Sequence, residues 1–165
     1  MERAAAALRT ALEAICLVFL SVLLAVVVAA VVARYTGHVF GWYDEVASII
    51  LAWLTYLGTA LAALRRGHLG FDNVMRAFPP RLRLTGFVVA EAVTIGFFLA
   101  LGYGGWALLD VLVGETLVTI PAIPSAAVQS VIPLGAVLFI VAEILSMPGA
   151  WQSYVRGPAL EEGHL

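Results

Sequence analysis

The sequence predicts an all-α membrane protein with four transmembrane helices, and three observations lead to this fold class. Of the 165 residues, 62% are hydrophobic and only 12% are charged, whereas about 25% of the residues in a soluble domain are charged. The mean hydropathy is +1.01. A soluble domain of this size still exposes about 30% of the surface of its unfolded chain, so it could not hide this many apolar side chains. A soluble enzyme is therefore excluded.

Four apolar segments have the length that a membrane-spanning helix needs, since a bilayer core of about 30 Å is crossed by about 20 helical residues. The predicted spans cover residues 11–33, 46–64, 84–109 and 126–147. We assign residues 1–150 to one membrane domain and expect a disordered cytoplasmic tail over 151–165. The first span exceeds the apolar region of a secretory signal peptide, which has about 7–15 residues, and we expect a retained anchor.

The arginines predict the orientation of the helices. All nine basic residues are Arg, and if the N-terminus is cytoplasmic, only Arg34 lies on the outer side. An excess of positive charge marks cytoplasmic connections, so both termini are predicted to be cytoplasmic. The outer connections carry Asp44, Glu45, Asp110 and Glu115, which makes the outer face mildly acidic.

The connection between the second and third spans predicts a short amphipathic helix at the inner membrane surface. Its apolar residues recur at helical spacing and are Phe71, Val74, Met75 and Phe78. Asp72 and Arg76 lie on the opposite face, and Pro79 follows where the helix should end. A helix with one apolar and one charged face lies in the plane of the interface.

Prolines lie both before the fourth span and within its outer half. Residues 118–124 are apolar and contain two prolines, and we expect an interfacial lead-in rather than a water-exposed loop. Within the span, Pro133 followed by Gly135 predicts a kink in the outer half of the helix.

Three carboxylates fall within or at the edge of the spans, namely Glu13, Glu91 and Glu143. An ionisable group in a membrane is a candidate for function, and a proton or Na⁺ site is one interpretation. Alternatively, these carboxylates pair with the inner arginines or contact another protein. We favour the second interpretation, because all three lie toward the cytoplasmic side and coupling-ion sites usually lie at mid-membrane.

The sequence predicts no cofactor and no metal site. Two axial histidines must converge on one haem iron, but His38 is on the outer side, His68 on the inner side and His164 in the tail. Cys16 is the one cysteine. A membrane anchor for a redox enzyme is therefore disfavoured, and without a nucleophile–base pair we expect no enzyme. No nucleic-acid partner is expected either.

The second span and its exit carry the most specific motif. An acidic pair opens the helix, a Trp and a Gly lie within it, and the chain leaves through a basic-x-x-His-x-x-x-Asp pattern. These residues are Asp44, Glu45, Trp53, Gly58, Arg65, Arg66, His68 and Asp72. The chain resembles the small, DctQ-type membrane subunit of tripartite ATP-independent periplasmic (TRAP) transporters. Ile120-Pro121 and the segment from Ile132 to Gly135 also match, and the resemblance covers about residues 10–150.

The same residues have structural explanations. Negative charge is favoured at the N-terminus of a helix and positive charge at its C-terminus. The acidic pair supplies the negative charge at the start of the second span, and Arg65-Arg66 supply the positive charge at its end. His68 and Asp72 could hydrogen-bond and fix the angle of the interfacial helix. Gly58 and Ala62 form a small-residue stripe that lets helices approach closely in lipid. Caps and anchors therefore account for this motif about as well as a functional role does.

The resemblance implies a non-conducting subunit of a Na⁺-driven symporter in the bacterial inner membrane. In that family a large membrane subunit carries the substrate, and a periplasmic binding protein delivers an organic anion, often a carboxylate. The small subunit braces the large one and helps to dock the binding protein. Glu91 is then expected to meet an inner arginine or the large subunit.

A self-contained carrier is the main alternative. Small four-helix multidrug exporters use a membrane-embedded Glu as their proton site, and Glu13 invites that comparison. Such a site should lie in the middle of its helix, whereas Glu13 is at the inner margin of the first span. The long, Arg-rich inner connection is also unlike these exporters.

Overall fold

The computed structural model describes residues 2–38, 40–65 and 80–156. Its helices are α1 (Glu2–Tyr35), α2 (Tyr43–Leu64), α3 (Pro80–Val111), α4 (Ser125–Gln129) and α5 (Val131–Arg156). Four helical segments are long and apolar enough to cross a membrane. Three of them are α1, α2 and α3, and the fourth is formed by α4 together with α5. The predicted all-α, four-helix fold is therefore confirmed. The predicted interfacial helix lies outside the described residues, as do Arg66, His68 and Asp72.

The helices extend beyond the apolar cores that the sequence predicts. α1 begins at Glu2, because the Ala-rich segment before the first span has high helix propensity. α5 continues to Arg156, six residues into the segment for which a disordered tail was expected. The first Gly-Pro pair after this helix, Gly157-Pro158, is a strong signal for helix termination.

The four long helices lie in an open row rather than in a closed bundle. α1 packs on α2, α2 packs on α5, and α5 packs on α3. The order across the protein is therefore α1–α2–α5–α3, with α1 and α3 at the two edges. We call the end of the row at which α2 begins the outer end, and the end at which α2 finishes the inner end.

An apolar cluster joins α1 to α2. Leu12 on α1 and Leu57 and Ala60 on α2 are buried there. Nearer the outer end, the rings of Phe19 and Trp53 stack with their centroids 6.2 Å apart. Large side chains of α1 thus pack against a small-residue position of α2, which fixes the two helices side by side.

Glycines set the closest approaches around α5. A Cβ added at Gly135 would lie 2.7 Å from Tyr56 of α2, and one added at Gly105 would lie 2.7 Å from Ile132 of α5. Further inward, the rings of Phe98 and Phe139 stack with centroids 3.6 Å apart. Both faces of α5 are therefore closely packed against neighbouring helices.

The kink predicted from Pro133 corresponds to an interruption of the helix one turn before this residue, because Pro133 has no N–H to donate to the carbonyl of Gln129. The chain turns at Ser130, between α4 and α5, and Pro133 lies in the first turn of α5. The N–H groups of a first helical turn have no partner within the helix, so proline is tolerated there. The break in the fourth span therefore precedes Pro133.

Candidate functional site

The outer end of the row is organised by the carboxylate of Glu45. This residue is in the first turn of α2 and accepts hydrogen bonds from the backbone N–H groups of Val118 (3.0 Å) and Thr119 (2.8 Å). The Thr119 hydroxyl also donates to it. Charge-assisted bonds of this kind are about twice as strong as neutral ones. Glu45 therefore ties the loop between α3 and α4 to the start of α2.

The loop that Glu45 holds, residues 112–124, is a short hairpin; we call it the outer hairpin. Thr116 and Pro124 form an isolated antiparallel bridge, and the Leu117 N–H donates to the carbonyl of Ile123 at 3.1 Å. Gly114 has a φ of +90°, a conformation that favours glycine. Val118 is 90% exposed, so side-chain burial contributes little to holding the hairpin tip.

The two residues of the acidic pair have different environments in the structure. Glu45 is half-buried and turned to the outer hairpin, whereas Asp44 is exposed. The two residues therefore have different roles, and only Asp44 leaves its carboxylate on the outer surface.

Trp53 links the middle of α2 to the break in the fourth span. Its indole Nε1–H donates to the carbonyl of Val128 at 3.2 Å, while its ring stacks on Phe19. Backbone polar groups without a partner are costly in lipid. Trp53 thus supplies a hydrogen bond to the backbone next to the turn at Ser130.

Replacing Trp53 with phenylalanine should remove that hydrogen bond while keeping an aromatic ring on Phe19. We expect a loss of about 1 kcal/mol in the free energy of unfolding, measured by denaturation of the purified protein. Trp106, which is exposed on α3, gives the control variant Trp106→Phe. Equal losses in both variants would contradict the role assigned to the indole N–H.

At the inner end, α1 and α2 are joined by three charged side chains. An Arg65 nitrogen lies 2.8 Å from Oε1 of Glu13, and Nε of Arg9 lies 3.4 Å from the same oxygen. The expectation that Glu13 pairs with inner arginines is confirmed. Because the side chains of Arg9 and Arg65 are 55% and 58% exposed, this ion pair stabilises the fold by no more than about 1 kcal/mol.

The other two membrane carboxylates lie on α3 and α5. Glu91 is half-buried and takes part in an interaction within the chain. Glu143 has one buried oxygen, Oε2, without a hydrogen-bond partner among the described residues. In the part of the chain that the structure describes, no three His, Cys, Asp or Glu side chains are grouped so that they could hold a metal ion.

Gly58 is not at a close helix contact, although its small-residue stripe predicts one. A Cβ added there would meet no atom within 4 Å, so the position borders open space. The close helix approaches are made instead by Gly102, Gly105 and Gly135. Sequence reasoning missed this difference, because spacing alone does not say which face of a helix meets a neighbour.

Several partners of the motif residues were also missed. Val118 and Thr119 at the outer hairpin and Val128 near the break are contacted through backbone groups or an ordinary hydroxyl. Backbone groups carry no residue signal in a sequence.

The four long apolar helices define a multi-pass membrane protein. Among the described residues, its polar side chains mainly hold its own helices and its outer hairpin in place. Residues 23–153 match the family described as the DctQ component of tripartite ATP-independent periplasmic transporters. The match covers most of the 165 residues. The chain belongs to this family and is a small permease component of a TRAP transporter.

A relative is found in Sinorhizobium fredii (strain NBRC 101917 / NGR234). It is named uncharacterized protein y4mM and is 36% identical over 87 residues, or 52% of this chain. The aligned part is 15% of that protein, so y4mM is a much longer polypeptide.

Proposed function

We propose that this protein is the non-conducting small permease subunit of a Na⁺-driven importer of organic anions, carboxylates in particular. It braces the large transport subunit in the bacterial inner membrane and helps to dock the periplasmic binding protein. The family supplies the transporter class, and the open row of helices supports the bracing role.

The observation that carries this proposal is the difference between the interior and the edges of the row. Within the row, Gly105 and Gly135 lie so close to neighbouring helices that an added methyl group would clash. On the edge helices, large apolar side chains remain exposed, such as Leu24 on α1 and Phe97 on α3. Close internal packing disfavours a solute path between the helices, and broad apolar edges suit contact with a larger membrane protein.

The state of Glu13 supports a brace over a self-contained exporter. An exporter needs a carboxylate that binds and releases protons during transport. Here Glu13 is already shared by Arg9 and Arg65, and the interaction ties α1 to α2. This arrangement favours a structural role for the carboxylate.

Docking of the binding protein is proposed at the outer end. Asp44 and Glu115 are exposed there, and the outer hairpin is held at the start of α2 by Glu45. Charges at the rim of an interface mainly steer association, so Asp44 is expected to affect the rate of docking more than the assembly of the membrane complex.

Reconstitution tests the proposed function. Liposomes would contain this chain, the large subunit or both, with the binding protein, a labelled carboxylate and an inward Na⁺ gradient. We expect uptake only when both membrane subunits are present. Uptake by liposomes that contain this chain alone would overturn the non-conducting role.

The variant Glu13→Gln separates the two carrier hypotheses. In the complete transporter, uptake should stay within a few-fold of the unmodified protein, because an exposed ion pair contributes little to stability. A proton-coupled exporter would lose all activity. Arg34→Gln, which also changes one charge on α1 but at its other end, serves as the control; complete loss with Glu13→Gln alone would favour the exporter.

A further inference from the structure

We propose that the inner end of the α1–α2 pair binds one anionic phospholipid of the cytoplasmic leaflet. Its phosphate would contact the guanidinium groups of Arg9 and Arg65, and an acyl chain would lie along α1. This site goes beyond the transport role proposed above and rests on the predicted orientation of the helices.

The charge of the cluster fits a phosphate. Arg9 and Arg65 converge on a single carboxylate oxygen of Glu13, so the three side chains together carry one net positive charge. Each guanidinium has five N–H donors, and one carboxylate cannot occupy them all. Both arginine side chains are more than half exposed, and a guanidinium matches the oxygens of a phosphate in a two-point contact.

An apolar stripe begins directly beyond this cluster. Side chains spaced three or four residues apart share one face of a helix, and the face of α1 that carries Glu13 continues through four exposed apolar residues. They are Leu17, Leu20, Leu24 and Val27. The rise from Leu17 to Val27 is about 15 Å, which is half of a bilayer core of about 30 Å. The stripe thus has the depth of one leaflet.

The open position at Gly58 leaves room on the face of α2 that carries Arg65. Gly58 precedes Arg65 by seven residues, or two helical turns, so both lie on the same face of α2. An added Cβ at Gly58 meets nothing within 4 Å. Positive charge at the inner end, an apolar stripe of one-leaflet depth and open space at Gly58 match the headgroup and acyl chain of a phospholipid.

The experiment measures lipid retention by the purified full-length chain. Native mass spectrometry would follow titration with phosphatidylglycerol or with phosphatidylcholine of the same acyl composition. We expect one tightly bound phosphatidylglycerol and no equivalent phosphatidylcholine. Arg9→Gln should weaken phosphatidylglycerol binding by about tenfold, since one charge-assisted contact is lost. Gly58→Leu should also weaken it, because the leucine fills the open space at this position without changing the charge.

Arg34→Gln is the matched control, because it removes one positive charge from α1 at the outer end. It should leave phosphatidylglycerol binding unchanged, and circular dichroism should show intact helices in every variant. The proposal would be overturned by equal retention of the two lipids, or by equal loss with Arg9→Gln and Arg34→Gln. Unchanged binding with Gly58→Leu would equally overturn the site as placed here. These outcomes are independent of whether the chain supports carboxylate uptake.

Discussion

Replacing Gly135 with alanine is expected to destabilise the protein by about 1–3 kcal/mol, although alanine is the better helix former. The new Cβ would lie 2.7 Å from Cβ and from Cδ1 of Tyr56. A Cβ atom is attached to the backbone and cannot rotate away, so α2 and α5 would have to separate. Thermal unfolding of the purified protein measures the change.

Two adjacent glycines of α3 supply a matched comparison. A Cβ at Gly105 would lie 2.7 Å from Ile132 and 3.0 Å from Pro133, whereas a Cβ at Gly104 meets nothing within 4 Å. Gly105→Ala should therefore lower the unfolding temperature. Gly104→Ala should leave it unchanged or raise it slightly, since alanine is favoured over glycine in a helix by about 1 kcal/mol.

Similar behaviour of all three glycine variants would contradict the close packing around α5. If Gly135→Ala and Gly105→Ala behaved like Gly104→Ala, the α2–α5 and α5–α3 contacts would be looser than the structure has them. The close internal packing that supports a non-conducting subunit would then lose its basis.

Removing the carboxylate of Glu45 is expected to release the outer hairpin. Without this side chain, the N–H groups of Val118 and Thr119 lose their acceptor. Hydrogen bonds to a charged group contribute about 1.5–3 kcal/mol each. In Glu45→Ala, these two amides should therefore exchange hydrogen at least about tenfold faster, as measured by hydrogen–deuterium exchange.

Asp44→Ala is the control for this experiment, because it truncates the neighbouring acidic residue, whose side chain is exposed. It should leave exchange at Val118 and Thr119 unchanged. If the hairpin then exchanged as fast as in Glu45→Ala, the general negative charge of the outer end would be responsible. Unchanged exchange rates at Val118 and Thr119 in Glu45→Ala would contradict the conclusion that Glu45 holds the hairpin.

A consequence for transport follows from the same pair of variants. If the binding protein docks at the outer end, Glu45→Ala should slow uptake by disordering the hairpin. Asp44→Ala should slow it through weaker electrostatic steering, and this effect should shrink at high salt. The two variants thus separate a structural contribution from a charge contribution at the same surface.

The sequence by itself determined the fold class, because the length of an apolar segment that crosses a bilayer is fixed by the bilayer and not by the neighbours of the segment. All four spans were located in this way. The sequence also indicated that Glu13 has a partner, either an inner arginine or another protein, since an ionised group near hydrocarbon requires one. The structure shows that Arg9 and Arg65 are partners of Glu13.

Only the tertiary structure decided which faces of the helices meet. In an apolar helix every side is hydrophobic, so the pattern does not mark the buried side, and Gly58 and Gly135 look alike in the sequence. The structure leaves Gly58 open and places Gly135 against Tyr56. The separation of Glu45 from Asp44 was equally hidden, because the partners of Glu45 are mostly backbone N–H groups, which every residue except proline has.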